Sequence, residues 1–165
     1  MQLLYKSASF TSNRVDLKNI YLTFVRSVLE KSAVVWHRTL TRKNKTALER
    51  VQKSAVRVIM GNSFSNYQEG LEKLKIENLD TRREQLCLKF ATKCLVNEKV
   101  RKMFPKKENN HQMKKRNTQK YKVNFAKTKQ CKKSAIPFMA ALLNKEEKEK
   151  KQIDNPLILS VSSEF

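Results

Sequence analysis

Metal ligation and nucleophilic catalysis start from thiols and imidazoles, and this chain offers Cys87, Cys94, Cys131, His37 and His111. Cys87 and Cys94 stand seven residues apart, which on a helix places both on one face. That spacing suits burial; the ligand pairs of zinc modules are set closer together. No metal site is expected. The aspartates are Asp16, Asp80 and Asp154, and the adjacent acids Glu146 and Glu147 lie in a charged stretch. Two-metal nucleotidyl transfer needs converging carboxylates. A glycine-rich phosphate loop is also missing, since the chain has only 2 glycines. Neither a catalytic residue nor a cofactor is therefore expected.

Cationic chemistry is abundant instead. The 165 residues include 36 Lys+Arg against 15 Asp+Glu, a formal net charge of +21. Such a surplus points to an acidic polymer or an anionic surface as partner. In "LERVQKSAVRVIMG" (48–61), Leu48, Val51, Ala55, Val58 and Ile59 fall on one helical arc. Arg50, Lys53 and Arg57 fall almost opposite. The basic arc is either a stripe that tracks phosphates, releasing their condensed counterions, or a solvated helix face. Arg82 and Arg83 add two cations on a later helix.

The densest charge runs from Lys99 to Lys133, with 14 Lys/Arg and one acid, Glu108, in 35 residues. Lys114, Lys115, Arg116, Lys120, Lys122 and Lys127 are its candidate phosphate contacts. Phe104, Tyr121 and Phe125 are interleaved with them, a combination that binds single-stranded nucleic acid through backbone cations and base-stacking rings. Alternatively, Tyr121, Val123 and Phe125 are apolar anchors that pin the segment while the lysines stay outside. A membrane surface is the weaker partner, because no basic amphipathic helix carries this charge.

Helices must position these groups. Scarce glycine and only 3 prolines leave few turn signals and predict a mainly α fold. Met1–Phe10 reads as a short helical piece. Asn13 and Asp16 mark a helix start. Leu17, Ile20, Tyr21, Phe24, Val25 and Val28 then share one arc over roughly 14–31, with the helix continuing to about 35 and Trp36 packed at its end. Thr41 caps a helix to Met60, and Gly61 takes the C-cap. Ser65 starts a helix over 66–74 with Leu71 and Leu74 inward. A helix over about 80–96 carries Leu86, Phe90, Ala91, Cys94 and Leu95 as its stripe, with a further turn stopped by Pro105. The strict alternation of "KYKVNFAK" (120–127) predicts a strand or an extended segment pinned across helices. Ser134 caps a last helix, with Pro137 in its first turn.

The expected domains are a helical thumb-like bundle (1–104), a basic flexible or extended segment (105–133), a C-terminal helix (134–151) and a loosely ordered tail (152–165). The sequence has no apolar run near the ~20 residues of a membrane span. It also lacks the pattern of a signal peptide. A nuclear or cytoplasmic protein with reduced thiols is expected, not a secreted one. The opening "MQLLYKSASF" reads like the middle of a helix, as in a piece of a longer chain.

The wording of four segments carries a resemblance: "DLKNIYLTFVRSVLEKSAVVWHRTL" (16–40), "LERVQKSAVRVIMG" (48–61), "RREQLCLKFATKCLVNEKVRKMFP" (82–105) and "SAIPFMAALLN" (134–144). In this order they resemble the region following the polymerase palm in reverse transcriptases of non-LTR (LINE-type, jockey-like) retrotransposons. The resemblance covers roughly residues 1–144, and 27–36 and 48–55 are its most telling parts. It implies the thumb-like and C-terminal part of an RNA-directed DNA polymerase, which helps hold the template–primer. The family's catalytic carboxylates lie in an upstream Tyr/Phe-x-Asp-Asp motif that this chain does not contain, so no catalytic residue carries over. RNA or DNA, held through phosphates, and the palm of a parent enzyme are the implied partners. The alternative is a helical protein-interaction module without nucleic-acid function.

Overall fold

Asn13 opens the first long helical rod as its type and position predict. Its Oδ1 accepts the Val15 N–H at 3.0 Å and its Nδ2 donates to Asp16 at 2.9 Å. The rod follows α1 (Gln2–Phe10) and comprises α2 (Arg14–Ile20), a wider π-helical stretch (Tyr21–Arg26) and α3 (Ser27–Glu30). The computed structural model describes residues 1–11, 13–107, 119–123 and 127–153, with side chains to 150.

The π-helical stretch corrects the expected apolar arc. Leu17 and Tyr21 are buried, but Phe24 is 57 % and Val28 71 % exposed. A π turn takes up one extra residue. The inward positions therefore step from Phe24 to Val25 and from Val28 to Leu29, both half-buried. The rod also stops before the expected residue 35. Ser32 adopts a left-handed φ of 55° and ψ of 23°, a conformation costly for a residue with a Cβ. The Lys31 carbonyl freed by this break accepts the Trp36 indole N–H at 2.8 Å. The chain then makes α4 (Ala33–Trp36) and a 3-10 turn (His37–Thr39).

Thr41 caps α5 (Arg42–Met60) through its hydroxyl, which accepts the Asn44 N–H. Gly61 ends it with φ 53° and ψ −130°, a positive φ that glycine adopts without steric penalty. Asn66, one residue later than expected, caps α6 (Tyr67–Leu74), and Leu71 and Leu74 face inward as predicted. α7 (Leu79–Val96) and the single turn α8 (Glu98–Arg101) follow, then α9 (Lys129–Lys132) and α10 (Ala135–Ile153). The fold is mainly α.

The chain divides into two compact units, Met1–Leu86 and Cys87–Phe165. The core of the first gathers Leu4 from α1, Leu17 and Tyr21 from the rod, Ala55, Val56, Ile59 and Met60 from α5, and Leu71 and Leu74 from α6. The buried face of α5 is thus centred on Gln52, Ala55, Val56 and Ile59, whereas Leu48, Val51 and Val58 are half-buried flanks. The stripe of α7 also differs from expectation. Leu79, Arg83, Cys87, Ala91 and Cys94 are buried, Leu86 and Leu95 are half-buried, and Phe90 is exposed. In the second unit Phe104, Tyr121, Met139, Ala140 and Leu143 are buried.

α6 approaches α5 closely at a glycine. A Cβ built on Gly70 would stand 2.6 Å from Cγ1 of the fully buried Val56. Gly70→Ala is expected to destabilise the first unit by about 1–3 kcal/mol, because overpacking outweighs the helix-propensity gain. Val56→Ala in the same chain should recover part of that loss. Chemical denaturation of the two single variants and the double variant measures this, and simple additivity would contradict it.

Candidate nucleic-acid interface

The expected phosphate contacts separate into three groups in the structure. The first is a free row on α5. Arg50, Lys53 and Arg57 are all exposed, and among the described residues none forms an ion pair with a carboxylate. Arg42 and Lys43, at the start of the same helix, are also exposed. Glu49, the acid within this stretch, is turned away. It accepts the Tyr67 hydroxyl and, at 3.3 Å, the Leu79 backbone N–H. The Arg57 guanidinium lies 5.2 Å from the centre of the Phe64 ring, a cation–π contact that restrains it without neutralising it. From Lys43 to Arg57 the row spans roughly 21 Å at the helical rise.

The second group is committed to the fold. Arg82 reaches Glu30 at 3.4 Å, and the same carboxylate pairs with Arg26 at 3.3 Å. Arg83 is 0 % exposed, so it is not a surface phosphate contact as expected. The reason is its register. It occupies the stripe position four residues from both Leu79 and Cys87, which turns it inward. Its guanidinium stands 5.7 Å from the centre of the Trp36 ring and 3.8 Å from Asp80. Burial depresses its pKa, while the acids Asp80, Glu49 and Glu30 oppose that shift.

Around Arg83 the structure assembles a site that the sequence did not suggest. Asp80 accepts Lys45 at 2.8 Å and lies 3.9 Å from Nδ1 of the buried His37. Donor atoms of His37, Asp80 and Glu84 all lie within 4.8 Å of one another. Such a trio has the ligand types for a divalent cation. Here Lys45 and Arg83 already neutralise the central carboxylate, so the geometry supports an ionic anchor. Burial raises the Asp80 pKa, but the Lys45 hydrogen bond and the nearby cations bring it below its ordinary value. Burial pushes His37 down to about 4, with Asp80 opposing and Lys45, Arg83 and Arg38 assisting. His37 is therefore neutral at pH 7.

The third group borders a cleft in the second unit. Lys106 and Tyr121 form an antiparallel bridge, with Lys107 N–H donating to Lys120 O and Lys122 N–H to Pro105 O, both at 2.9 Å. This is the pinned segment expected at 120–127, as far as the described residues reach. Tyr121 is buried and Val123 is exposed; Phe125 lies outside the described residues. Asn144 of α10 fastens the bridge. Its Oδ1 accepts Tyr121 N–H at 2.9 Å and its Nδ2 donates to Tyr121 O at 3.0 Å. Phe104 and Tyr121 are thus core anchors, not exposed stacking platforms. Lys120 is held by Glu147 at 2.6 Å. Lys122 and Lys127 are exposed, and Lys114, Lys115 and Arg116 lie outside the described residues.

A cleft of about 620 Å³ opens beside this bridge, lined by Leu95, Glu98, Arg101, Lys102, Phe104, Pro105, Lys106, Lys120 and Tyr121. Lys102 and Lys106 belong to the 99–133 run whose lysines were expected to contact phosphates, but they and Arg101 were not set apart from its other cations. Their signal was available, since they flank the Phe104-Pro105 dipeptide that follows α8. Ser134 precedes α10 as expected, but its hydroxyl donates to the Cys131 carbonyl at 2.7 Å. Cys87 and Cys94 are buried and Cys131 is exposed, and none of the three is in a disulfide.

Two measurements test this architecture. The folded state binds His37's proton less tightly than the unfolded state does. Stability is then complete above pH ~6.5 and lost as pH falls toward about 4, by roughly 3 kcal/mol. His37→Leu should flatten this part of the pH–stability curve, and an unchanged slope would contradict the assignment. Asn144→Ala leaves two buried backbone groups of Tyr121 unpaired and should cost about 2–4 kcal/mol. Amide exchange at Tyr121 should accelerate well beyond that at Ala55; equal acceleration would mean global unfolding and not loss of the clamp.

In comparisons with known proteins, no family model, no curated protein and no solved structure matches the chain.

Proposed function

We propose that this chain is a non-catalytic nucleic-acid contact module that holds RNA or DNA through its phosphates. The row on α5 carries this reading. Arg50, Lys53 and Arg57 present three cations on one helix face without carboxylate partners among the described residues. The net charge of +21 extends the same field over the chain, which favours association with polyanions and makes it dependent on salt. Nothing in this row reads bases, so the expected binding tolerates sequence. The proposed origin is the thumb-like, post-palm part of a non-LTR retrotransposon reverse transcriptase, with the polymerase carboxylates in a palm domain. An in-frame Asp-Asp polymerase motif just upstream of Met1 in the genome would support that origin, and unrelated upstream sequence would count against it. Among the described residues no helix is long and apolar enough to cross a membrane. The nucleus or cytoplasm is the proposed location.

One observation favours the second reading, a protein-interaction module. Phe24 and Val28 stand exposed one turn apart on the rod, and Val35 and Phe10 are exposed as well. Apolar side chains grouped on a surface mark docking sites. A palm domain is the partner under the proposed origin. A monomer that ignores hydrophobic dyes would count against docking.

Fluorescence anisotropy with a labelled oligonucleotide tests the primary reading. Affinity should fall steeply between ~50 and ~200 mM salt. Reversing Arg50, Lys53 and Arg57 to Glu should lower the slope of log K against log salt by roughly 2–3, near one unit for each phosphate no longer neutralised. Binding that is indifferent to salt would reject the phosphate-driven mode.

A further inference from the structure

We propose that the cleft of the second unit is a seat for one unpaired nucleotide, so that single-stranded nucleic acid is recognised there and not along α5. This rests on the nucleic-acid reading above and adds the form of the polymer.

Three features of the cleft support it. Arg101, Lys102 and Lys106 project around a concavity of about 620 Å³, within the size range of sites for one small ligand. All three are exposed, and among the described residues none forms an ion pair. Glu98 is the acid in the lining, and Lys120 is already tied to Glu147. Two or three cations around a single cavity suit one phosphate group better than they suit a carboxylate, which carries less charge and fewer acceptor oxygens.

The second feature is the wall. Leu95 and Pro105 add apolar surface beside the cations, so the cavity has a place for a flat apolar group as well as for an anion. The third is its shape. A duplex keeps its bases paired and stacked and offers a concave site only phosphates. An unpaired nucleotide can put both base and phosphate into the same cavity. The convex row on α5 has no such cavity and meets phosphates alone.

The site is also built to hold its form. After α8 two turns, Met103 N–H to Val100 O and Phe104 N–H to Arg101 O, lead to Pro105, whose carbonyl accepts Lys122 N–H at 2.9 Å. Asn144 takes both backbone polar groups of Tyr121. The cations on either side of the cleft are therefore carried by backbone that is tied down, which lowers the ordering cost of binding.

The test uses the full chain and a labelled single-stranded oligonucleotide, compared with a duplex of the same length. The double variant Arg101→Glu, Lys102→Glu should lose about tenfold in single-strand affinity, with duplex affinity nearly unchanged. Both residues are exposed, and unchanged circular dichroism confirms the fold of the variant. Without any variant, a nucleoside monophosphate should displace the single strand at about tenfold lower concentration than inorganic phosphate. Equal losses for single strand and duplex, or no loss for either, would overturn the seat while leaving a general phosphate surface. Equal competition by monophosphate and inorganic phosphate would likewise overturn it, because no base would then be held. If the wild-type chain binds neither polymer, the underlying reading fails too.

Discussion

Gln52 is the point at which the elements of the first unit are locked together. Its amide is fully buried, which is tolerable only when its polar atoms find partners. Oε1 accepts the Tyr21 hydroxyl of the π-helical stretch at 2.6 Å. Nε2 donates to the Tyr67 hydroxyl of α6 at 3.1 Å and to the Glu77 carbonyl at 2.9 Å. One side chain on α5 thereby holds the rod, α6 and the connector before α7 in register. Burial keeps both tyrosines protonated: it raises their pKa values, and the Glu49 hydrogen bond raises that of Tyr67 further. A slip of any partner would strand a buried donor or acceptor, at about 1–3 kcal/mol each. The apolar cluster around Gln52 supplies burial, which is not directional; the amide supplies direction.

This arrangement has a consequence for charge. With Gln52 and Ala55 pointing inward, Arg50, Lys53 and Arg57 must point outward. With Leu79 and Cys87 buried on α7, Arg83 must turn inward between them. The fold therefore sorts similar cations into opposite roles. Those on α5 stay available, and those near the start of α7 are neutralised by Asp80 and Glu30. Surface pairs of this kind contribute little stability by themselves. The buried one is different in kind, because removing Asp80 would leave Arg83 charged in the interior without its nearest carboxylate.

In the second unit a single asparagine has the organising role. Asn144 imitates a neighbouring strand by satisfying both polar groups of Tyr121. Lys106 and Tyr121 then pair as an isolated bridge among the described residues. The described part of the most highly charged segment is thus tethered through its backbone, while the side chains of Lys106, Lys107 and Lys122 stay exposed and Lys120 is held by Glu147. Cationic side chains would otherwise repel one another and extend the segment.

Composition, periodicity and capping residues by themselves determined the mainly α fold, the course of α5 to Gly61, the caps at Asn13 and Thr41, the inward Leu71 and Leu74, and the burial of Cys87 and Cys94. These follow from local rules of spacing and capping, which a single segment contains in full. The arc of the rod departs from the 3.6-residue period because a π turn is decided by packing, and nothing in "YLTFVR" announces the extra residue. Arg83 was legible in part: its place in the stripe of α7 was readable, but the chemistry of its type argued for the surface. Asp80 lies one turn away on the same helix, but only tertiary structure decided that Trp36 would stand beside Arg83 and that Lys45 and His37 would join Asp80. The same holds for the cleft, whose walls come from positions 95–106 and 120–121. A sequence states which groups are cationic; which of them remain free is settled by the carboxylates and carbonyls that folding brings within about 4 Å, where Coulombic attraction is strong.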